Sequence, residues 1–156
     1  MKYSLYKYIL LTVSLVITAY FVSCTAGSCF EETEAKSKAS FYSMATKKAQ
    51  PPDSISLFGF GMDTLLIYDK ALSQKSAAFP LFAADTVRRF ILRINGINDT
   101  MEYRYSSSVH LISRECGYTY FFSLDTVIFS RNIIDSVSII KKTATTANEE
   151  NIRIFY

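Results

Sequence analysis

The chain lacks tryptophan and has only one histidine, three cysteines, five glycines and three prolines. So few glycines and prolines exclude a collagen-like or low-complexity protein, and a hydrophobic fraction of 49% excludes an intrinsically disordered one. One histidine and three cysteines leave little material for a metal centre, so we expect no metal site and no cofactor. A net charge of +3 is too small to favour nucleic acid as a partner.

The first 23 residues are arranged like an export signal. Lys2 and Lys7 form a short basic region, and residues 8–22 are a nearly unbroken apolar run. A helix over that run would be about 22 Å long, whereas the hydrocarbon core of a bilayer is about 30 Å thick. This length favours a signal peptide over residues 1–23; a permanent transmembrane helix is the alternative.

The residues around Cys24 predict lipidation. Phe21, Val22, Ser23 and Cys24 resemble a bacterial lipobox, in which a small residue precedes the cysteine that is lipidated and becomes the first residue of the mature protein. Phe21 stands where leucine is usual. We therefore expect a membrane to be a partner of the protein, contacted through an N-terminal lipid on Cys24.

The two other cysteines predict a disulfide. If Cys24 carries lipid and the protein is exported to an oxidising compartment, we expect Cys29 to pair with Cys116; two free cysteines are the alternative. In the chain-entropy model such a bridge would stabilise the fold by about 4 to 5 kcal/mol. Only residues 25–28 would then separate the domain from the lipid, a span of at most about 17 Å. The domain should therefore lie close to the membrane.

The rest of the chain has the pattern of an all-β protein. Short apolar segments recur, each bounded by Gly, Pro, Asp or Asn. We predict a lipidated N terminus and tether over residues 24–38 and an antiparallel β-sandwich, immunoglobulin-like or related, over residues 39–156. The predicted strands, which could merge into eight or nine, cover residues 40–46, 54–60, 64–69, 77–82, 86–95, 100–113, 118–124, 127–129, 133–141 and 151–156.

Alternation of apolar and polar residues predicts which faces of the central strands are buried. A hairpin is predicted at Asn95-Gly96, a dipeptide typical of two-residue turns. Three successive serines, residues 106–108, predict a bend or a bulge in the second strand of that hairpin. The predicted core positions around it are Phe90, Leu92, Ile94, Met101, Tyr103, Tyr105, Val109, Leu111, Tyr118, Tyr120 and Phe122.

A tripeptide recurs along the chain. Six of the seven aspartates are followed by Ser or Thr and then by an aliphatic residue. One explanation is structural, because Asp favours turns and a β-branched residue followed by an aliphatic one suits the start of a strand. The tripeptide also resembles the acceptor for O-glycosylation of exported proteins in the Bacteroidetes. The candidate acceptor hydroxyls are those of Ser54, Thr64, Thr86, Thr100, Thr126 and Ser136.

Catalytic signals are few. His110 is the only imidazole, and no Gly-x-Ser-x-Gly motif accompanies it. The acidic residues at 31, 32 and 34 lack the loop spacing of a calcium site, so they indicate a charged tether. We therefore expect no catalytic residues. The alternative is a carbohydrate-active or hydrolytic protein that uses carboxylates such as Glu102 and Glu115.

Three features together suggest a family. Cys29 follows Cys24 closely, residues 113–117 (Ser-Arg-Glu-Cys-Gly) precede an aromatic strand, and residues 152–156 read Ile-Arg-Ile-Phe-Tyr. In this combination the chain resembles a family of uncharacterised Bacteroidetes lipoproteins known only as a domain of unknown function. The resemblance implies an anchor in the bacterial outer membrane and no established activity.

The expected role follows from the anchor and the missing catalytic groups. In the group that the chain resembles, surface-exposed lipoproteins often have acidic residues just after the lipidated cysteine. No acidic residue lies directly after Cys24, so the resemblance favours the periplasmic face of the outer membrane. We expect a lipid-anchored, non-catalytic binding or envelope-assembly module. Its candidate partners, besides the membrane, are an envelope protein or a glycan.

Overall fold

The computed structural model describes residues 3, 7, 11–13, 29–62 and 64–156. From Cys29 onward the described residues contain ten β-strands and no helix, which confirms the predicted all-β class. Within the described residues, no helix combines the length and the apolar character that crossing a membrane requires. The strands are β1 (Lys36–Tyr42), β2 (Ser54–Gly59), β3 (Leu66–Leu72), β4 (Ser76–Pro80), β5 (Val87–Ile94), β6 (Ile97–Ser113), β7 (Gly117–Phe129), β8 (Ser136–Ile139), β9 (Thr143–Ala144) and β10 (Ile152–Phe155).

The strands form two sheets that share one core, which confirms the predicted sandwich. The smaller sheet has the order β4-β1-β10-β8, and the larger has the order β3-β2-β5-β6-β7-β9. Every pair of neighbouring strands is antiparallel except β1 and β10, which run parallel with Ala39 beside Ile152. This parallel pair lies at the centre of the smaller sheet, so the N-terminal and C-terminal strands hold each other in place.

Aromatic side chains from both sheets fill the core. Phe79 of the smaller sheet packs against Phe90 and Tyr103 of the larger one, with ring centroids 5.3 Å and 5.0 Å away. All three side chains are buried. Burial of such large apolar surfaces is the main favourable term in folding, and the edge-to-face contact of Phe79 with Phe90 adds to it.

The predicted hairpin at Asn95-Gly96 is confirmed. Ile94 pairs with Ile97, and both turn residues have positive φ angles, 49° for Asn95 and 89° for Gly96. A two-residue turn with two positive φ angles matches the twist of the strands it joins, and Gly adopts that conformation without a Cβ clash. The inward face predicted for β5 is buried as well.

The predicted bulge at residues 106–108 is wrong. These serines pair regularly with Ser123, Phe122 and Phe121 of β7. The register shift lies one step earlier, between Arg104 and Tyr105, where Asp125 of β7 is the extra residue. The ladder continues through the serines because backbone hydrogen bonds do not require large side chains.

Several boundaries differ from the predicted ones. β1 begins at Lys36, so the last residues of the predicted tether belong to the sandwich, and Ser37 is fully buried there. The predicted strands 118–124 and 127–129 are a single strand, β7, and β9 (Thr143–Ala144) lies between the predicted strands 133–141 and 151–156. Polar residues in β1 concealed its start, because only the packing shows which of its residues face the core.

Candidate functional site

A long hairpin projects from the larger sheet. β5 pairs with β6 only as far as Arg104, whereas β6 continues to pair with β7 up to Ser113. We call residues 106–121 the outer hairpin. The core positions predicted on it are wrong, because Val109, Leu111, Tyr118 and Tyr120 are 61%, 50%, 73% and 47% exposed. The four residues do share one face, as the alternation predicts, but the smaller sheet does not extend far enough to cover them.

A disulfide closes the tip of this hairpin. Cys116, in the turn between β6 and β7, is bonded to Cys29, with their Cα atoms 4.8 Å apart. The pairing is the one predicted from the sequence. Between Cys29 and β1 the chain contacts β7, where the hydroxyl of Thr119 donates a 2.6 Å hydrogen bond to the carbonyl of Thr33. The predicted lipidation site, Cys24, lies outside the described residues.

The six candidate acceptor hydroxyls lie in different environments. Exposed residues are Thr64, Thr86 and Thr126, and half-buried residues are Ser54, Thr100 and Ser136. Ser54 and Ser136 begin β2 and β8, as the structural explanation predicts. Thr100 and Thr126 instead lie inside β6 and β7, so strand starts do not explain every copy. Asp63, which precedes Thr64, lies outside the described residues.

Asp99, in one of these tripeptides, is a structural residue that the sequence did not reveal. Its side chain is 1% exposed and accepts hydrogen bonds from the Ser130 hydroxyl and from the N–H groups of Asn132, Ile133 and Ile134, at 2.5 to 2.9 Å. Burial acts to raise the pKa of Asp99, but these four hydrogen bonds outweigh it and lower the pKa. The carboxylate thereby holds the connection from β7 to β8.

The carboxylates considered for catalysis are not brought together. Glu102 accepts hydrogen bonds from Arg89 at 2.6 Å and Arg104 at 2.9 Å, and these bonds lower its pKa. A lowered pKa is the opposite of what a general acid needs. Glu115 is exposed in the turn after β6, and about 36 Å of strand separates Glu102 from the end of β6. His110 is exposed and stacks on Phe121, with ring centroids 4.1 Å apart.

The outer face of the larger sheet carries a groove of about 500 Å³, within the size range of small-ligand sites. Its lining residues include Ser56, Phe58, Phe60, Leu66, Asp69, Ile91, Arg93 and Asn98. The guanidinium of Arg93 lies 5.9 Å from the centre of the Phe58 ring and donates a 2.6 Å hydrogen bond to Asn98. The groove therefore combines an aromatic surface with fixed polar groups. Because Leu92 and Ile94 are predicted core positions, alternation puts Arg93 on the solvent-facing side of the strand, but it does not show that a groove forms there.

Among the described residues, no group of three or more His, Cys, Asp and Glu side chains could hold a metal ion.

Comparison with known proteins identifies a family. No curated protein and no solved structure matches this chain. A family model described as "Family of unknown function (DUF6452)" matches residues 54–156, which contain β2 to β10. The chain belongs to this family of unknown function.

Proposed function

We propose that the protein is a lipid-anchored, non-catalytic binding or assembly module of the bacterial cell envelope. The observation that carries this proposal is the disulfide between Cys29 and Cys116. Structural disulfides persist in exported proteins and are rare in the reducing cytosol. This one also ties the segment that follows the predicted lipidation site to the body of the domain.

The disulfide limits how far the domain can move from its anchor. Residues 25–28 are all that separates Cys29 from Cys24, and an extended chain of that length spans at most about 17 Å. A protein held this close to a bilayer suits a role at the membrane surface. We place it in the outer membrane on the periplasmic face, as the resemblance to envelope lipoproteins and the sequence after Cys24 suggest.

The groove is the best-supported binding site. Phe58 and Phe60 offer apolar surface, while Asp69, Arg93 and Asn98 offer donors and acceptors at one side of it. Ligand sites commonly combine a mostly apolar lining with a few placed polar groups. A glycan, or a short segment of an envelope protein, has the mixed character that such a lining recognises.

A hydrolytic role is less well supported. Glu102 forms ion pairs with two arginines. The other candidate carboxylate, Glu115, does not lie within the few ångströms of Glu102 that paired catalytic carboxylates require. The two ion pairs give Glu102 a structural role on the surface of the sheet. We therefore retain binding as the proposed activity.

Mass spectrometry of the native protein purified from membranes tests the anchor. We expect the mass of residues 24–156 plus acyl chains, increased on reduction by the mass of one hydrogen molecule. The variant Cys24→Ala is the control and should carry no acyl chain. An unmodified mass of the full 156-residue chain would contradict the proposal.

In the same sample, peptide mapping should find sugar on exposed threonines such as Thr86 and Thr126, and none on Thr100, whose neighbour Asp99 is buried.

Photocrosslinking in cells tests the groove. We expect a photoreactive amino acid in place of Phe60, which is 57% exposed at the rim, to capture an envelope protein or glycan. The matched control is the same amino acid in place of Ile128, which is 48% exposed on β7 outside the groove. The additional change Arg93→Ala should reduce capture at position 60 several-fold. Equal yields at positions 60 and 128 would show that the groove is not the binding site.

A further inference from the structure

One face of the outer hairpin is apolar and exposed. Val109 pairs with Tyr120, and Leu111 pairs with Tyr118. Side chains of directly paired residues lie on the same face of a sheet, so these four form one continuous surface. Each of them is between 47% and 73% exposed. Surfaces of this kind on soluble domains commonly mark an interaction site.

This surface continues the core face of the sandwich. Tyr105 and Phe122, on the same faces of β6 and β7 but closer to the body of the domain, are 2% and 4% exposed and contact each other with ring centroids 5.5 Å apart. Beyond them the apolar pattern continues for two more cross-strand pairs, although the smaller sheet no longer covers it. The sequence thus maintains a buried-type face at positions that the domain itself does not bury.

The opposite face of the outer hairpin is largely polar. It carries Ser108, His110 and Thr119. Of its apolar residues, Phe121 stacks against His110, and Ile112 lies at the register shift near the tip. The two faces therefore differ in the way that a surface-bound amphipathic element requires. An element of this kind lies at the boundary between water and an apolar phase.

The disulfide indicates which apolar phase lies nearby. It joins the tip of the outer hairpin to Cys29, and the apolar run of residues 8–22 ends seven residues earlier. Whether that run remains in a membrane or is replaced by lipid on Cys24, at most about 24 Å of chain separates the hairpin tip from the membrane. This distance is about the length of the outer hairpin itself. The apolar face cannot lie far from the bilayer.

We propose that the face formed by Val109, Leu111, Tyr118 and Tyr120 docks on the surface of the membrane that holds the N terminus. Tyrosine suits this position because its ring is apolar and its hydroxyl reaches water, which is why it is enriched at membrane interfaces. The inference rests on the proposed membrane attachment. It gives the domain a second contact with the bilayer and hence a defined orientation.

This orientation leaves the groove accessible. Asn98 lies near the start of β6 and Ser113 at its end, about 50 Å apart along the strand. The polar end of the groove is thus far from the hairpin tip. A ligand or partner could approach it while the outer hairpin contacts lipid.

Because the chain has no tryptophan, the fluorescence of a single introduced tryptophan measures the docking directly. The native lipoprotein carrying Tyr118→Trp would be reconstituted into vesicles of phosphatidylethanolamine and phosphatidylglycerol, with or without bromine on the acyl chains. For a face buried about 5 to 10 Å into the interface, we expect bromine to quench about half of the emission, together with a blue shift. Leu111→Trp, on the other strand, should behave in the same way.

The matched control is Leu72→Trp. Leu72 is 71% exposed, close to the 73% of Tyr118, and pairs with Ser54 beside the Asn95 turn at the opposite end of the larger sheet. Its emission should not respond to brominated lipid. Urea unfolding of all three variants, compared with the wild type, verifies that each one folds.

The outcomes separate the two proposals. If the protein does not float with the vesicles, the proposed anchor is wrong. If it floats but Tyr118→Trp and Leu111→Trp are quenched no more than Leu72→Trp, the anchor stands and the docking is wrong. A blue shift without quenching, together with crosslinked dimers, would show that a second copy covers the face, and this too would overturn the docking.

Discussion

Replacing Cys29 and Cys116 by alanine is expected to lower the free energy of unfolding by about 4 to 5 kcal/mol. The bridge joins residues 87 apart in sequence and therefore restricts the unfolded chain strongly. It also holds residues 29–35 against the outer hairpin. Urea unfolding of the wild type and the double variant measures the difference.

Two controls belong to this experiment. Reduction of the wild-type protein should cause the same loss as the double substitution, whereas Cys24→Ala, which removes the cysteine assigned to lipid, should leave the free energy of unfolding unchanged in detergent. Amide hydrogen exchange in residues 106–121 should accelerate when the bridge is absent. A loss below about 1 kcal/mol would contradict the prediction and would mean that the disulfide at the hairpin tip contributes little to the free energy of unfolding.

Replacing Asp99 by alanine is expected to cost about 3 to 5 kcal/mol. The substitution leaves the buried N–H group of Ile134, the N–H groups of Asn132 and Ile133, and the hydroxyl of Ser130 without their acceptor. Each buried donor without a partner costs about 1 to 3 kcal/mol, and relaxation of residues 130–134 recovers part of the sum. Thermal or urea unfolding measures the change. The matched control is Asp125→Ala, because Asp125 belongs to the same tripeptide but is exposed, and its replacement should change stability by about 0.5 kcal/mol or less.

The lowered pKa of Asp99 predicts a dependence of stability on pH. Because its pKa is lower in the folded than in the unfolded protein, the unfolded chain takes up the proton first as the pH falls. The contribution of the ionised carboxylate is therefore fully present above the unfolded pKa, about 4, and is lost as the pH falls through the folded pKa. Asp99→Asn should lose stability near neutral pH and show a flatter profile below pH 4 than the wild type. Parallel profiles would contradict this assignment.

The tripeptide shows how one sequence pattern serves several physical roles. At Ser54 and Ser136 it begins a strand, at Asp125 it supplies the bulge of β7, and at Asp99 it supplies a buried acceptor for the connection from β7 to β8. These roles explain the individual copies without excluding sugar on the exposed hydroxyls. Sequence alone could not assign them, because each depends on residues far away in the chain.

The sequence by itself determined the all-β class, the Asn95-Gly96 hairpin and the pairing of the two cysteines that the structure describes. Alternation and turn propensity act between neighbouring residues, so they can be read from a single chain, and the disulfide followed from counting thiols in a chain that we expect to be exported. Only the tertiary structure decided that β1 pairs in parallel with β10, that Asp99 is buried, and that the apolar face at Val109 and Tyr118 is exposed. The physical reason is that alternation identifies an apolar face, whereas burial depends on whether another sheet is long enough to cover it.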